Sequence, residues 1–220
     1  MAEPAGPNFT TNGIHLNSFG YWAISNILAR DLVRDAGDAS PQSWHVFIDA
    51  SSNTANARGV RVAGVASLGQ GLSFSVKEDS APTLPPPSEQ ELPPQLSQRR
   101  DTLKVANLPP GSYRLTVDGV SVVTASHEVW AEGVAIDDSP AHHDAAALRK
   151  AVNDKNQQFI YSWKALNQVH IVGERKSSPS GKALPGEVIE FNRITDQRDE
   201  QLRSTLQFKT RLWRIEPASP

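Results

Sequence analysis

Apolar residues along this chain change period twice, and each change marks off a region. From Ser18 to Gly37, Tyr21, Ile24, Leu28 and Leu32 recur at spacings of three and four, which predicts a helix with one apolar stripe. Asn17 or Ser18 can cap its first turn, and Gly37 follows as a stop. Beyond Trp44 the period shortens toward two. Trp44–Asp49, Gly59–Val65, Leu72–Val76, Leu103–Val105, Tyr113–Val117 and Val120–Thr124 each alternate or run apolar over strand-like lengths. The last two are joined by Asp118-Gly119, a hairpin signal because a type I′ turn needs positive φ at both positions. The proline-rich segment 82–94 interrupts the series. Its Pro85-Pro86-Pro87 centre has no N–H to offer a sheet, so it reads as an extended surface connection. Strands at this spacing, with turn residues between them, predict a small β-sandwich.

After residue 137 the helical period returns. Leu148, Val152, Phe159, Trp163 and Leu166 line one face of a long amphipathic segment, Asp144 to Asn167, with Asp144 as its cap. Ser177 to Gly186 reads as a Ser/Pro/Gly loop and Glu190 to Ser204 as a second, more polar helix. The tail from Phe208 to Ile215 alternates like a strand. The pattern is that of an α+β protein in three regions: 1–38 with the first helix, a β-rich region 42–136, and a helical C-terminal region 137–220. No internal repeat is present.

Composition narrows the function classes. A chain of 220 residues is long enough to bury a substantial core. Its formal charge is −2, with Lys and Arg dispersed, which argues against a nucleic-acid or anionic-membrane surface. Without cysteine there is no disulfide, thiol nucleophile or Cys-based metal site. No apolar run approaches the roughly 20 residues a membrane helix needs. The first residues, Met1-Ala2-Glu3-Pro4-Ala5-Gly6-Pro7, lack the basic and apolar parts of a signal peptide. Export, periplasmic or extracellular, would require a signal upstream of Met1, which is expected to be an internal methionine or a gene-boundary artefact.

The sharpest chemical signal is Thr10-Thr11-Asn12-Gly13-Ile14-His15, which sets a histidine in a polar loop just before the first helix. A general base needs such a place: an imidazole at the edge of a rigid element with a neighbour to fix its tautomer. The loop and helix resemble the last catalytic block of the SGNH/GDSL hydrolases, in which Asp-x-x-His precedes the final helix of an α/β/α domain. Further stretches resemble a C-terminal extension found in one bacterial group of such proteins. They are Leu108-Pro109-Pro110-Gly111-Ser112-Tyr113-Arg114-Leu115, Trp130-Ala131-Glu132-Gly133-Val134-Ala135, Leu148-Arg149-Lys150-Ala151 with Lys155-Asn156, and Val172-Gly173-Glu174-Arg175-Lys176. The resemblance implies that His15 is the general base and that Asn12 occupies the position of the orienting Asp. It also implies a terminal α/β/α helix over 1–38, an acyl-ester or acetylated-carbohydrate substrate, and no cofactor. The serine-bearing Gly-Asp-Ser block and the oxyanion-hole blocks cannot be placed in this sequence. The chain alone is therefore expected to be inactive, with association to a serine-bearing hydrolase half as one way to complete it.

Other candidates weigh less. Ser18 sits near His15 in sequence, but a helix cap does not present a nucleophile as a strand-to-helix elbow does. His142-His143-Asp144 is expected to be a capped helix start with two exposed histidines rather than a metal site, since adjacent side chains rarely converge on one ion. His45 and His127-Glu128 are read as structural. Trp44, Trp130 and Trp163 could form a sugar-binding platform, although tryptophans of this kind more often serve packing. They support the alternative reading, a non-catalytic carbohydrate- or partner-binding module with a vestigial histidine loop. Gly69-Gln70-Gly71 is a turn, because no P-loop lysine follows it.

Overall fold

In the computed structural model, residues 8–32, 43–85, 100–165, 177–205 and 208–218 are described. The expected stop at Gly37, most of the proline-rich segment, Leu166 and the Val172–Lys176 motif lie outside them. The protein is α+β, with two sheets and four helices among the described residues. Helix α1 spans Ser18–Leu32. The strands β1 (His45–Asp49), β2 (Thr54–Arg58), β3 (Val60–Leu68), β4 (Gly71–Glu78), β5 (Thr102–Ala106), β6 (Ser112–Val117) and β7 (Val120–Ser126) follow. A short helix α2 (His127–Glu132) and strand β8 (Val134–Ala135) lead to the long helices α3 (Pro140–Ala165) and α4 (Pro179–Thr205), and β9 (Thr210–Pro217) ends the chain.

One sheet has the order β2-β1-β5-β8 and the other β3-β4-β9-β6-β7. Within the first, β1 and β5 run parallel, whereas every pair of the second is antiparallel. Alternation along the strands builds the core between them. Ile48, Leu103 and Val105 from the first sheet join Phe74, Leu115, Trp213 and Ile215 from the second in one buried cluster. Burial of each such side chain contributes roughly 1.5–3 kcal/mol. Trp130 on α2 is wholly buried in the same cluster, its indole N–H donating to Tyr113 O at 3.2 Å. The β6–β7 turn has positive φ at both Asp118 (51°) and Gly119 (83°), as a type I′ turn requires. Asp118 then accepts from the Leu212 N–H and from Arg211, fastening the turn to β9.

The chain divides into two compact units, Met1–His143 with Phe208–Pro220, and Asp144–Gln207. The tail strand thus departs from the helical region 137–220 to which the sequence assigned it. It lies between β4 and β6 because its inward residues Trp213 and Ile215 complete the sheet's apolar face. Strand β2, Thr-Ala-Asn-Ala-Arg, carries no apolar alternation and forms by edge pairing with β1.

Both long helices begin earlier than their hydrophobic pattern suggests. Each opens with Ser-Pro: Ser139 O accepts from His143 N–H (3.0 Å) and Ser178 O from Lys182 N–H (3.0 Å). A serine at the cap and a proline at the first helical position are both favourable, since proline has no N–H to leave unsatisfied there. Asp144 is consequently inside α3 rather than its cap, and most of the expected loop 177–186 is the first part of α4, with Pro185 inside the helix. Within the helical unit α3 and α4 meet through polar contacts: Lys155 with Asp199 (2.9 Å), Arg198 donating to Asp154 O (2.7 Å), and the rings of Tyr161 and Phe191. The expected apolar face is not the one that packs. Val152, Phe159 and Trp163 are exposed, while the contacts with α4 are made by Asp154, Lys155 and Tyr161.

Candidate functional site

The histidine loop is built by hydrogen bonds to itself and to the start of α1. Thr10 and Leu16 form an antiparallel bridge, Thr11 N–H donates to His15 O (2.9 Å), and Asn17 N–H donates to Phe9 O (3.0 Å). Gly13, at φ +80°, makes the turn, its N–H donating to Thr10 Oγ1 at 3.1 Å. Asn17 is the cap of α1: its Oδ1 accepts from Gly20 N–H (2.7 Å), while its amide donates to Asn8 O (2.7 Å). One side chain therefore holds both the helix and the strand that returns over it. Gly20 makes the close approach possible, because a Cβ there would lie 2.1 Å from Phe9 O. Phe9 also packs its ring on Phe19, with centroids 5.4 Å apart, and Phe19 is buried. On the far side Trp22 donates its indole N–H to Leu84 O at 2.9 Å, tying α1 to the chain beyond β4.

Within this frame Asn12 and His15 meet. Asn12 Oδ1 accepts from the backbone N–H groups of Ile14 (3.2 Å) and His15 (2.9 Å), which identifies the oxygen end of the amide. The same oxygen lies 3.2 Å from His15 Nδ1, and Asn12 Nδ2 lies 3.0 Å from it. Either tautomer of the imidazole is thereby satisfied: Nδ1–H can donate to the oxygen, or a bare Nδ1 can accept from the amide. Only the first leaves Nε2 free to take a proton. A carboxylate would enforce that tautomer, since it can only accept; an amide leaves the two close in energy. The ring is exposed, and among the described residues its hydrogen bonds go to Asn12 alone. Ser18 is likewise exposed, at the first position of α1 and not bonded to His15.

The α1 stripe that the sequence singled out faces away from the core. Phe19 and Ala23 are buried and Ile24 is half-buried, whereas Tyr21, Leu28 and Leu32 are exposed, Leu32 at 80 %, and Ile14 beside the histidine is 81 % exposed. The aromatic platform does not form: Trp44 and Trp130 are core residues, and Trp163 lies in the other compact unit.

Sequence reasoning missed one arrangement altogether. The expected pair of exposed histidines divides, with His143 outward beside Asp138 and His142 buried. His142 Nδ1 is hydrogen-bonded with Ser139 Oγ (2.8 Å), and its Nε2 lies 3.4 Å from Asp101 Oδ2. Three residue types of a hydrolytic triad are thus together, but all three are buried and the serine occupies the helix cap. A nucleophile must reach substrate, and this hydroxyl has no route to one. The only local hint was Ser-Pro-x-His, readable as a cap with a histidine three residues on. Among the described residues no group of three or more His, Asp or Glu side chains could hold a metal ion, and no helix is long and apolar enough to cross a membrane.

No protein-family model matches the chain, and no curated protein matches it. Among solved structures it is similar to one described as a gut microbial diltiazem-metabolizing enzyme, with a TM-score of 0.60 and 14 % sequence identity. The likeness covers 95 % of this chain and 56 % of that one, so the chain spans little more than half of its structural neighbour. At this identity the likeness is one of fold.

Proposed function

We propose that this chain is the histidine-bearing C-terminal part of an SGNH/GDSL-like ester hydrolase, acting on acyl or acetylated-carbohydrate esters. The observation that carries the reading is the pairing of Asn12 with His15 Nδ1 in a loop clamped to the start of α1. In the finer architecture that goes with it, α1 is the terminal helix of an α/β/α domain, and its exposed stripe packs against a serine-bearing half. There His15 Nε2 takes the proton of the serine hydroxyl as the oxygen attacks the ester carbonyl. The bond to the alcohol breaks, the imidazolium returns its proton to that alcohol, and water releases the acyl group by the same route. Asn12 orients the ring but adds no charge to stabilise the imidazolium. The fold likeness to a drug-metabolizing enzyme is compatible with this reading and makes diltiazem a sensible probe.

The second reading, a partner-binding module with a vestigial loop, draws on the exposed α1 stripe. Its glycan-platform form is disfavoured by the burial of Trp44 and Trp130. The test is to isolate the protein from its native source, measure its intact mass, and assay p-nitrophenyl acetate, acetylated xylan and diltiazem with the native protein and its His15→Ala variant. A species heavier than 23.9 kDa, or one co-purifying with a serine hydrolase, whose esterase activity falls at least ~100-fold in the variant is expected. Undiminished activity in His15→Ala would overturn the catalytic reading.

A further inference from the structure

Asn12 engages His15 from three residues away, so the two would keep their pairing even if the whole loop swung on its ends. The direction in which the imidazole faces is set elsewhere, at the neck where residues 8 and 9 return over residue 17. Most bonds of the loop join it to itself. Thr10 N–H donates to Asn8 Oδ1 (3.1 Å), Thr11 N–H to His15 O (2.9 Å) and Gly13 N–H to Thr10 Oγ1 (3.1 Å), and Thr10 bridges to Leu16. The bonds that cross the neck come from Asn17. Its backbone N–H donates to Phe9 O (3.0 Å) and its Nδ2 to Asn8 O (2.7 Å).

Capping α1 requires only the oxygen of the Asn17 side chain. Oδ1 accepts from Gly20 N–H at 2.7 Å, and Asp, Ser or Asn would serve that bond about equally. The Nδ2 donation is the part that capping does not need. It goes to Asn8 O on the returning strand, so a single planar amide joins that strand to the first turn of the helix. A carboxylate here could only accept, and would face a carbonyl oxygen; a serine hydroxyl is one bond shorter than the amide nitrogen. Gly20 and the Phe9–Phe19 contact let the two segments approach closely, but neither supplies a directed bond.

We infer that Asn17 is the positioning residue for His15: its Nδ2 bond to Asn8 O locks the loop to the start of α1 and so fixes where the imidazole faces. The inference rests on the reading of His15 as a general base. Among the described residues Asn17 makes no hydrogen bond to the imidazole, and it acts through the loop that carries the ring. A base must meet the serine hydroxyl within hydrogen-bond reach, and a misplacement of about 1 Å costs on the order of 100-fold in rate. A loop free to pivot at its neck would lose that placement while Asn12 and His15 stayed paired. Asn12 thus governs the ring within the loop, and Asn17 governs the loop on the helix.

The test is backbone amide relaxation of the full chain in the wild type, Asn17→Asp and Asn17→Ser. Both variants keep an oxygen for Gly20 N–H and lose the amide donor to Asn8 O. In the wild type residues 12–15 should be as ordered as α1, with order parameters of about 0.85. In both variants these values should fall below about 0.6, while Phe19 to Ala23 and the ring nitrogen shifts of His15 stay unchanged. Unchanged order at residues 12–15 in either variant overturns the inference; an effect confined to Asn17→Asp would trace to its charge. With the native protein and p-nitrophenyl acetate, kcat should fall roughly 100-fold in both variants with KM nearly constant. A mobile loop with wild-type kcat would also overturn it. Failure of the hydrolase reading shows separately, as undiminished activity in His15→Ala, and leaves the relaxation result standing.

Discussion

His15 and His142 are each held at Nδ1 by a neighbour three residues away, yet they are opposites. His15 is exposed in a loop of eight or so residues that hydrogen-bonds to itself, its partner a neutral amide. His142 is buried between a helix cap and a carboxylate, where any change in charge is felt by the core. The more triad-like set of residue types is the one that cannot meet a substrate. The exposed pair, poorer in charge, has the access that chemistry needs. Accessibility and tautomer control, rather than residue identity, separate a candidate base from a structural histidine.

The largest effect should come from Asp101→Ala. Trp44 N–H and Thr83 N–H would lose their acceptor, at a cost of about 1–3 kcal/mol for each donor left unpaired. His15→Ala should change stability by less than about 0.5 kcal/mol. Urea denaturation of both variants measures the gap, and similar losses would erase the distinction between the two histidines.

Gly20→Ala comes next. The added methyl cannot coexist with Phe9 O at 2.1 Å, so the returning strand must lift from α1, costing about 1–3 kcal/mol locally. Amide exchange is the readout: protection at Asn17 and Thr11 should disappear while that of β5 and β6 is unchanged. Retained protection would mean that the loop is not held by this approach.

Asn12→Asp should have the smallest effect on stability, within about 0.5 kcal/mol, and the sharpest on tautomer. The carboxylate accepts from Nδ1–H and disfavours a bare Nδ1, so the ring nitrogen shifts should move to the Nδ1–H form. A spectrum identical to wild type would show that Asn12 does not govern the imidazole.

Much of the fold was legible because alternation reports burial directly: the strands around Ile48, Phe74, Leu103 and Leu115 and the Asp118-Gly119 hairpin all follow from local pattern. The helix starts at Ser139-Pro140 and Ser178-Pro179 were also written there, but serine and proline serve loops as readily as caps, and only the following turn distinguishes them. Strand β2 carries no signal of its own, since an edge strand needs a partner rather than a pattern. The Asn12–His15 pair could be read because three residues of chain bring the two groups together without help from the rest of the molecule.

By itself, then, the sequence determined what short-range physics controls: which segments are strands or helices, where a turn takes positive φ, and that Asn12 can reach His15. Tertiary structure alone decided that β9 enters the sheet beside β4 and β6, that most of the α1 stripe faces outward, and that His142 is buried beside Asp101. Those outcomes depend on contacts between residues far apart in the chain, and no local period encodes which distant face will bury a side chain or leave it in water.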